Sequence, residues 1–425
     1  MRILLKIFLI LTVIAPSSSG VAAVPLVEGE ITLDQAVEAA LRLSPSLGAV
    51  KHSVSAAQAR TTQAGLFPNP EFSLETENFG GSAELDGFDA AETTAVISQE
   101  ILLGGKRRRS RAVAESDQML AERDLEAARL HVVLRTKLAY FRVVTAQERQ
   151  ALAEELLALA DRFAHTVQAR VDAGKVSPVE GTRAEIEVAQ ARVRRTRAVR
   201  DLKAARVRLA ATWGSGVVSF DRAVGELPEP KAPPSLEQLR SRLLQTPEIV
   251  RLEDMIHRQQ NVMDVESAFR VPNVTVSLGP RRFEETGHSA WVAGLSFPIP
   301  IFDRNQGSRE AAEFDLERVR REAEAIRVSI EADLAAGLER LQAAEQETEI
   351  MKTQVVPAAE AAFAATEIGY TEGKFGFLDV LDAQRALFES RSLLLDSREE
   401  YALTLTELER LIGITPSVAR QSQGE

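Results

Sequence analysis

Residues 105–172 contain no proline and are rich in Ala, Leu, Glu, Arg and Gln, all strong helix formers. Leu130, Leu134, Leu138, Phe141, Val144, Leu152, Leu156, Leu159, Phe163 and Val167 recur mostly in steps of three and four. That spacing draws one apolar stripe along a helix. At 1.5 Å per residue the run makes a rod of roughly 100 Å. Compact domains seldom use helices this long, so the chain is expected to build a coiled-coil-like assembly.

The rod has a counterpart about 200 residues downstream. Residues 309–370 have the same character apart from Pro357, which is expected to kink or interrupt the helix. Other anchors repeat in the same order. Thr32-Leu33-Asp34-Gln35 returns as Ser235-Leu236-Glu237-Gln238, Ser44-Pro45 as Thr246-Pro247, and Pro68-Asn69 as Pro272-Asn273. Gly174-Lys175 returns as Gly373-Lys374, and Trp213-Gly214 as Ile412-Gly413. Two copies at so long a period indicate duplication rather than a solenoid. The expected layout is a first repeat over 24–215, a Pro-rich linker over 216–234, a second repeat over 235–414 and a tail over 415–425. Pro228, Pro230, Pro233 and Pro234 make the linker extended or loop-like.

Each long helix needs neighbours of matching length. Residues 178–213 and 45–66 together span about 87 Å as helices. The long helix is therefore expected to pack along two shorter ones stacked head to tail. Residues 377–412 and 247–269 repeat that arithmetic, and the turns near 172–180 and 371–379 become hairpin tips.

Between the helices lie two pairs of short period-two segments, near 71–77 with 93–101 and near 274–279 with 289–297. Phe72 and Leu74 alternate with Ser73 and Glu75; Trp291, Ala293, Leu295 and Phe297 alternate with Val292, Gly294 and Ser296. This is the pattern of strands with one apolar face. Nine of the 22 aromatic residues fall in 67–103 and 269–303. Membrane barrels concentrate aromatics in this way, and two soluble hairpins are the competing reading. Four strands leave two open edges, which lipid does not tolerate, so a barrel has to be completed by further copies. Three copies give twelve strands and four give sixteen. The polar connections 78–92 and 280–288 point away from the helices, which places the loops outside the cell and the helices in the periplasm.

The N-terminus reads as a secretory signal over 1–23: Arg2 and Lys6, an apolar run from Ile7 to Ile14, then Val21-Ala22-Ala23. That run is too short to span a bilayer. There is no cysteine, hence no disulfide, no thiolate metal site and no lipidated N-terminal cysteine. Removing the signal takes the net charge from −11 to about −13, which argues against a nucleic-acid partner. The five histidines are scattered, and no nucleophile motif, phosphate loop or cofactor motif is present. Neither an enzyme nor a resident metal or cofactor is expected.

Three segments resemble the TolC-type outer membrane factors, and within them the heavy-metal, CzcC-like branch. They are Gly65-Leu66-Phe67-Pro68-Asn69-Pro70-Glu71; Gln99-Glu100-Ile101-Leu102-Leu103-Gly104-Gly105, with its repeat from Leu295 to Asn305; and Tyr370-Thr371-Glu372-Gly373 followed by Asp379-Val380-Leu381-Asp382. The resemblance covers nearly the whole mature chain. It implies a mainly α fold with a small β-barrel portion: a homotrimer carrying a twelve-stranded outer-membrane barrel on a long periplasmic α-barrel. It also implies docking through a periplasmic adaptor to an inner-membrane pump of the resistance-nodulation-division type. Heavy-metal efflux is the expected function. The outer channel of a drug pump or type I secretion system is the alternative, and a soluble periplasmic coiled-coil adaptor is the remote one.

The resemblance also nominates residues. Asp379 and Asp382 match the aspartates of the family's periplasmic constriction, and their spacing puts them on one helix face. They are expected to form an acidic pore gate; the plainer reading is acids favoured near a helix N-terminus. Glu180 and Arg183 occupy the matching positions of the first copy, where Arg183 is expected to tie the tip by ion pairs. Phe375 stands where some relatives carry an arginine. Gly174, Lys175, Gly373 and Lys374 mark the adaptor-docking tips. Lys106 to Arg111, five cations in six residues, open the first rod against its dipole. Anionic headgroups of the outer membrane, or plain solvation, would satisfy them.

Overall fold

The computed structural model describes residues 29–413; the signal segment 1–23 and the tail 415–425 lie outside the described residues. The first half runs β1 (Gly29–Ile31), α1 (Leu33–Leu43), α2 (Pro45–Ala64), β2 (Glu71–Glu77), β3 (Glu92–Ile101), α3 (Lys106–Asp172) and α4 (Pro178–Thr212). The second runs β4 (Phe220–Ala223), α5 (Leu236–Leu243), α6 (Pro247–Ala268), β5 (Val274–Phe283), β6 (Ser289–Ser296), α7 (Gln306–Ile350), α8 (Val356–Thr371) and α9 (Phe377–Leu411).

Local chemistry sets the starts of these helices. Thr32 with Gln35 and Ser235 with Gln238 form the same reciprocal capping box at α1 and α5. Pro45, Pro178 and Pro247 open α2, α4 and α6, where a missing N–H costs nothing. α3 packs along both α4 and α2, while α6 and α9 flank α7, and α9 continues along α8. The shorter helices are spliced end to end. Gly214, at φ +83°, closes so tightly on the start of α2 that a Cβ there would lie 2.7 Å from Pro45 Cδ. Gly413, at φ +69°, lies beside Thr246 at the start of α6 with more room, a Cβ there falling 3.4 Å from Thr246 Cγ2.

Pro357 does not end the second rod. The helix widens into a π-turn over Met351–Val355, and Pro357 then sits in the first turn of α8. The wider turn absorbs the missing donor and the ring, so the axis continues to Thr371.

The linker is not wholly irregular. β4 lies within it and pairs in parallel with β1. Tyr140 on α3 holds this pair from beneath, donating to Val224 O at 2.6 Å. The Gln147 amide bonds both the N–H and the carbonyl of Ala223, at 3.0 and 2.9 Å. Burial pushes the Tyr140 phenol up to about 12, against the pull of the Val224 carbonyl bond. Trp213 and Phe220 meet edge to face beside it in the largest core cluster.

The remaining strands form one antiparallel sheet in the order β2-β3-β5-β6, so the β3–β5 pair joins the two copies. Phe72, Leu74, Ile97, Leu278, Trp291 and Leu295 share one face and are 54–75% exposed. Glu71, Glu75, Glu77, Glu92, Glu100, Ser277 and Arg281 occupy the other. There Arg281 reaches Glu92 at 3.0 Å, Glu77 at 3.6 Å and the Thr94 hydroxyl at 2.9 Å. β5 extends four residues past the expected end at Gly279, through Pro280. Its pairing with β3 lapses at Gly279 and Pro280 and resumes at Arg281, because proline has no donor for the ladder. Among the described residues no helix is long and apolar enough to cross a membrane.

Candidate functional site

The end of the helices far from the sheet is built twice from one pattern. α3 stops at Gly174, φ +65°, where Gly174 N–H donates to Val171 O and Lys175 N–H to Arg170 O, both at 2.9 Å. α8 stops at Gly373, φ +76°, where Gly373 N–H donates to Tyr370 O at 3.1 Å and Lys374 N–H to Gly369 O at 2.7 Å. Both are left-handed glycine closures that satisfy the last helical carbonyls. A Cβ at either glycine would meet nothing within 4 Å. Lys175 is exposed, and Lys374 Nζ lies 2.6 Å from Glu372.

Asp379 and Asp382 sit in the first two turns of α9, and both are exposed. Asp379 Oδ2 accepts the Gly376 N–H at 2.8 Å, so this acid also caps its helix. Phe377, Val380 and Leu381 turn the other way, into a cluster with Val167, Ala184 and Tyr370. The two acids therefore face outward from the surface that joins the hairpins.

The first-copy positions behave differently. Glu180 is half-buried, and its Oε2 is shielded from solvent without a hydrogen-bond partner. Its charge bears on Tyr370, whose phenol is pushed up first by burial; Arg170 pulls it back and Glu180 pushes it further. Arg183 is exposed and makes no ion pair among the described residues.

The contacts that tie the two hairpins together lie elsewhere. Arg170 stacks on the Tyr370 ring, 4.4 Å from its centre, and donates from Nη1 to Tyr370 O at 2.9 Å. Phe163 packs between Tyr370 and Phe377, 5.3 and 5.6 Å from their ring centres. Two turns beyond Glu180, the buried Glu187 carboxylate pairs with Arg385 of α9 and lies 3.8 Å from Arg194. Sequence reasoning missed Arg170 and Glu187, because arginines and glutamates are abundant on every face of these helices. Phe375 folds back onto Gly369, where any β-carbon would strike its ring. Apolar packing stands there in place of a charge.

Above the tip, α3, α4 and α9 enclose a cleft of about 470 Å³ lined by Leu152, Leu156 and Phe388 and by Arg149, Glu187 and Arg385. Among the described residues no group of three or more His, Cys, Asp or Glu side chains is placed to hold a metal ion.

Comparison with known proteins addresses the whole chain. A family model described as "Outer membrane efflux protein" matches residues 36–215 and 240–414. The cobalt-zinc-cadmium resistance protein CzcC of Cupriavidus metallidurans is 33% identical over 404 residues, 94% of this chain and 95% of that protein. The nickel-cobalt-cadmium resistance protein NccC of Alcaligenes xylosoxydans xylosoxydans is 28% identical over 330 residues, 75% of each. Among solved structures, the CmeC outer membrane channel of Campylobacter jejuni superposes with a TM-score of 0.78 at 17% identity, covering 92% of this chain and 88% of that one.

Proposed function

Because this chain belongs to the outer membrane efflux protein family, we propose that three copies of it form the exit duct of a tripartite pump for heavy-metal cations. It is an outer membrane channel subunit, with its sheet in the membrane and its helices in the periplasm. The observation that carries the cargo is the 33% identity to a cobalt-zinc-cadmium resistance protein over nearly the full length of both chains. The metal is cargo rather than a resident ligand, so no chelating cluster is required of the duct.

The need for further copies follows from the sheet, and the family supports three. β2 and β6 are edges in one chain, and a membrane barrel has no edges. Three copies close twelve strands, with the acidic sheet face lining the lumen and the apolar face in lipid. Asp379 and Asp382 then stand as two rings of three carboxylates at the periplasmic constriction; of the first-copy positions, the exposed Arg183 can join them, while Glu180 is turned into the hairpin junction. A periplasmic adaptor docks at the tips formed by Gly174, Lys175, Gly373 and Lys374 and links the duct to an inner-membrane pump.

Deleting the gene and restoring it in trans tests the cargo. Growth in zinc, cobalt, cadmium and nickel salts is expected to fall on deletion and recover on complementation; unchanged tolerance to all four removes metals as cargo. Tip docking is tested by Gly174→Trp and Gly373→Trp. Each places an L residue at positive φ, a local cost of about 1–2 kcal/mol, but its β-carbon meets no atom within 4 Å. Outer-membrane trimers are expected in normal amounts with efflux reduced to the deletion level. Full efflux from both variants rules the tips out as docking points.

A further inference from the structure

The apolar face of the sheet does not stop where the strands stop. At the helix-proximal end it runs into Phe67, Phe297, Ile299 and Phe302, which are 53–88% exposed. Cations are set among these side chains. The Arg107 guanidinium lies 3.9 Å from the centre of the exposed Phe67 ring and donates from Nη1 to Gly65 O at 3.0 Å. Arg108 follows it and is exposed. In the second copy Arg304 comes two residues after Phe302, and its guanidinium donates only a long bond, 3.4 Å, to Ile301 O. Among the described residues Arg107, Arg108 and Arg304 have no carboxylate partner, whereas Arg111, one turn on, is paired with Glu115 at 2.8 Å.

Among the described residues no carboxylate pairs with these three guanidinium groups. The first turn of α3 carries no acid, and its cations oppose the dipole of a 67-residue helix. Lys106 does not belong to the surface: it is buried, bonded to Asn273 and stacked over Phe269. An external anion is therefore called for, at the level where an exposed aromatic band gives way to helix.

We propose that Arg107, Arg108 and Arg304, with Phe67 and Phe302, form a collar that binds the phosphodiester headgroups of phospholipids in the periplasmic leaflet of the outer membrane. Two features select this occupant. The collar is continuous with the apolar face that meets the acyl chains, and its charge complements the lipid phosphates. Guanidinium groups suit phosphate oxygens by their paired donors. The collar fixes the depth of the barrel and so the height of the tips above the inner membrane. The inference rests on the outer-membrane location and not on the cargo, so a loss of metal tolerance and a loss of lipid preference are separate readouts.

The test uses the full mature chain in phosphatidylcholine bilayers doped with spin-labelled phosphatidylglycerol or phosphatidylcholine. The motionally restricted fraction of each label reports association with the protein. Wild type is expected to favour phosphatidylglycerol by roughly fivefold, the effect of one near-surface cation. The preference should vanish in Arg107→Gln/Arg108→Gln/Arg304→Gln and fade at about 1 M salt. Equal association of both labels with wild type, or an unchanged preference in the triple variant, overturns the collar. Should the triple variant fail to insert, Arg108→Gln alone decides. It breaks no hydrogen bond or ion pair within the chain and must still lower the preference, and no change overturns the proposal.

Discussion

Asp379→Asn/Asp382→Asn channels, reconstituted in planar bilayers, are expected to lose roughly thirtyfold in cation-over-anion permeability. In the proposed trimer two rings of three carboxylates would confront an ion at the constriction, each ring contributing about 1 kcal/mol in a water-filled lumen. Asparagine is the informative replacement. Its side-chain oxygen can still accept the Gly376 N–H that Asp379 binds at 2.8 Å, so the helix start survives and only charge is removed. Alanine would remove the cap as well and confound conduction with stability. Asp382→Asn alone should give about half the effect, because Asp382 has no capping duty. Reversal potentials measured across a salt gradient report the ratio directly. Potentials that match wild type would leave Asp379 as a helix cap and Asp382 as a surface acid.

Gly279→Val is expected to abolish outer-membrane assembly altogether. At Gly279 the backbones of β5 and β3 approach so closely that a β-carbon would fall inside the Ala95 carbonyl oxygen and 2.7 Å from Val96 Cα. Both obstacles are main chain, so no rotamer change relieves them. The β3–β5 pair is also the only seam between the two copies in this sheet. Opening it creates two new unpaired edges in lipid, each group costing several kcal/mol. Gly294→Ala is the control. Its β-carbon meets only the Ser277 hydroxyl, which rotates away. Membrane fractionation should show Gly294→Ala in the outer membrane as stable oligomer and Gly279→Val absent. Normal assembly of Gly279→Val would show that the sheet can separate there at little cost.

How much of this was legible beforehand depended on the range of the interactions. The 67-residue α3 was readable from composition and stripe because each of its bonds spans four residues. The pairing of β2 with β3 and of β5 with β6 followed from period-two alternation around polar loops, whereas the residue register is seen only in the structure. The β1–β4 pair was not readable. Its strands have three and four residues, show no alternation, and lie about 190 residues apart. Pro357 was expected to kink or interrupt the rod, and the strand was ended before Pro280, because the rule for proline is local. Both are tolerated by a neighbouring adjustment, a π-turn in one case and a lapse of pairing in the other.

At the tip, duplication misled in one respect. It equated Glu180 with Asp379, yet Asp379 faces solvent and Glu180 leans toward Tyr370 inside the hairpin junction. The two copies share a backbone plan but not an environment, because the α4 start and the α9 start pack against different neighbours. The ties formed by Arg170 and by Glu187 with Arg385 depend on that packing, so one-copy arithmetic could not find them.

The two bare edges of the sheet also have a genetic meaning. In the proposed trimer no chain closes a barrel by itself, so every functional duct would sample three independently translated products. When a cell carries one intact allele and one that assembles but cannot conduct, only about one duct in eight is free of the defective product at equal expression. Gate lesions at Asp379 should therefore behave as dominant alleles. Lesions at Gly279, whose products never reach the ring, should be recessive and leave the wild-type pool intact.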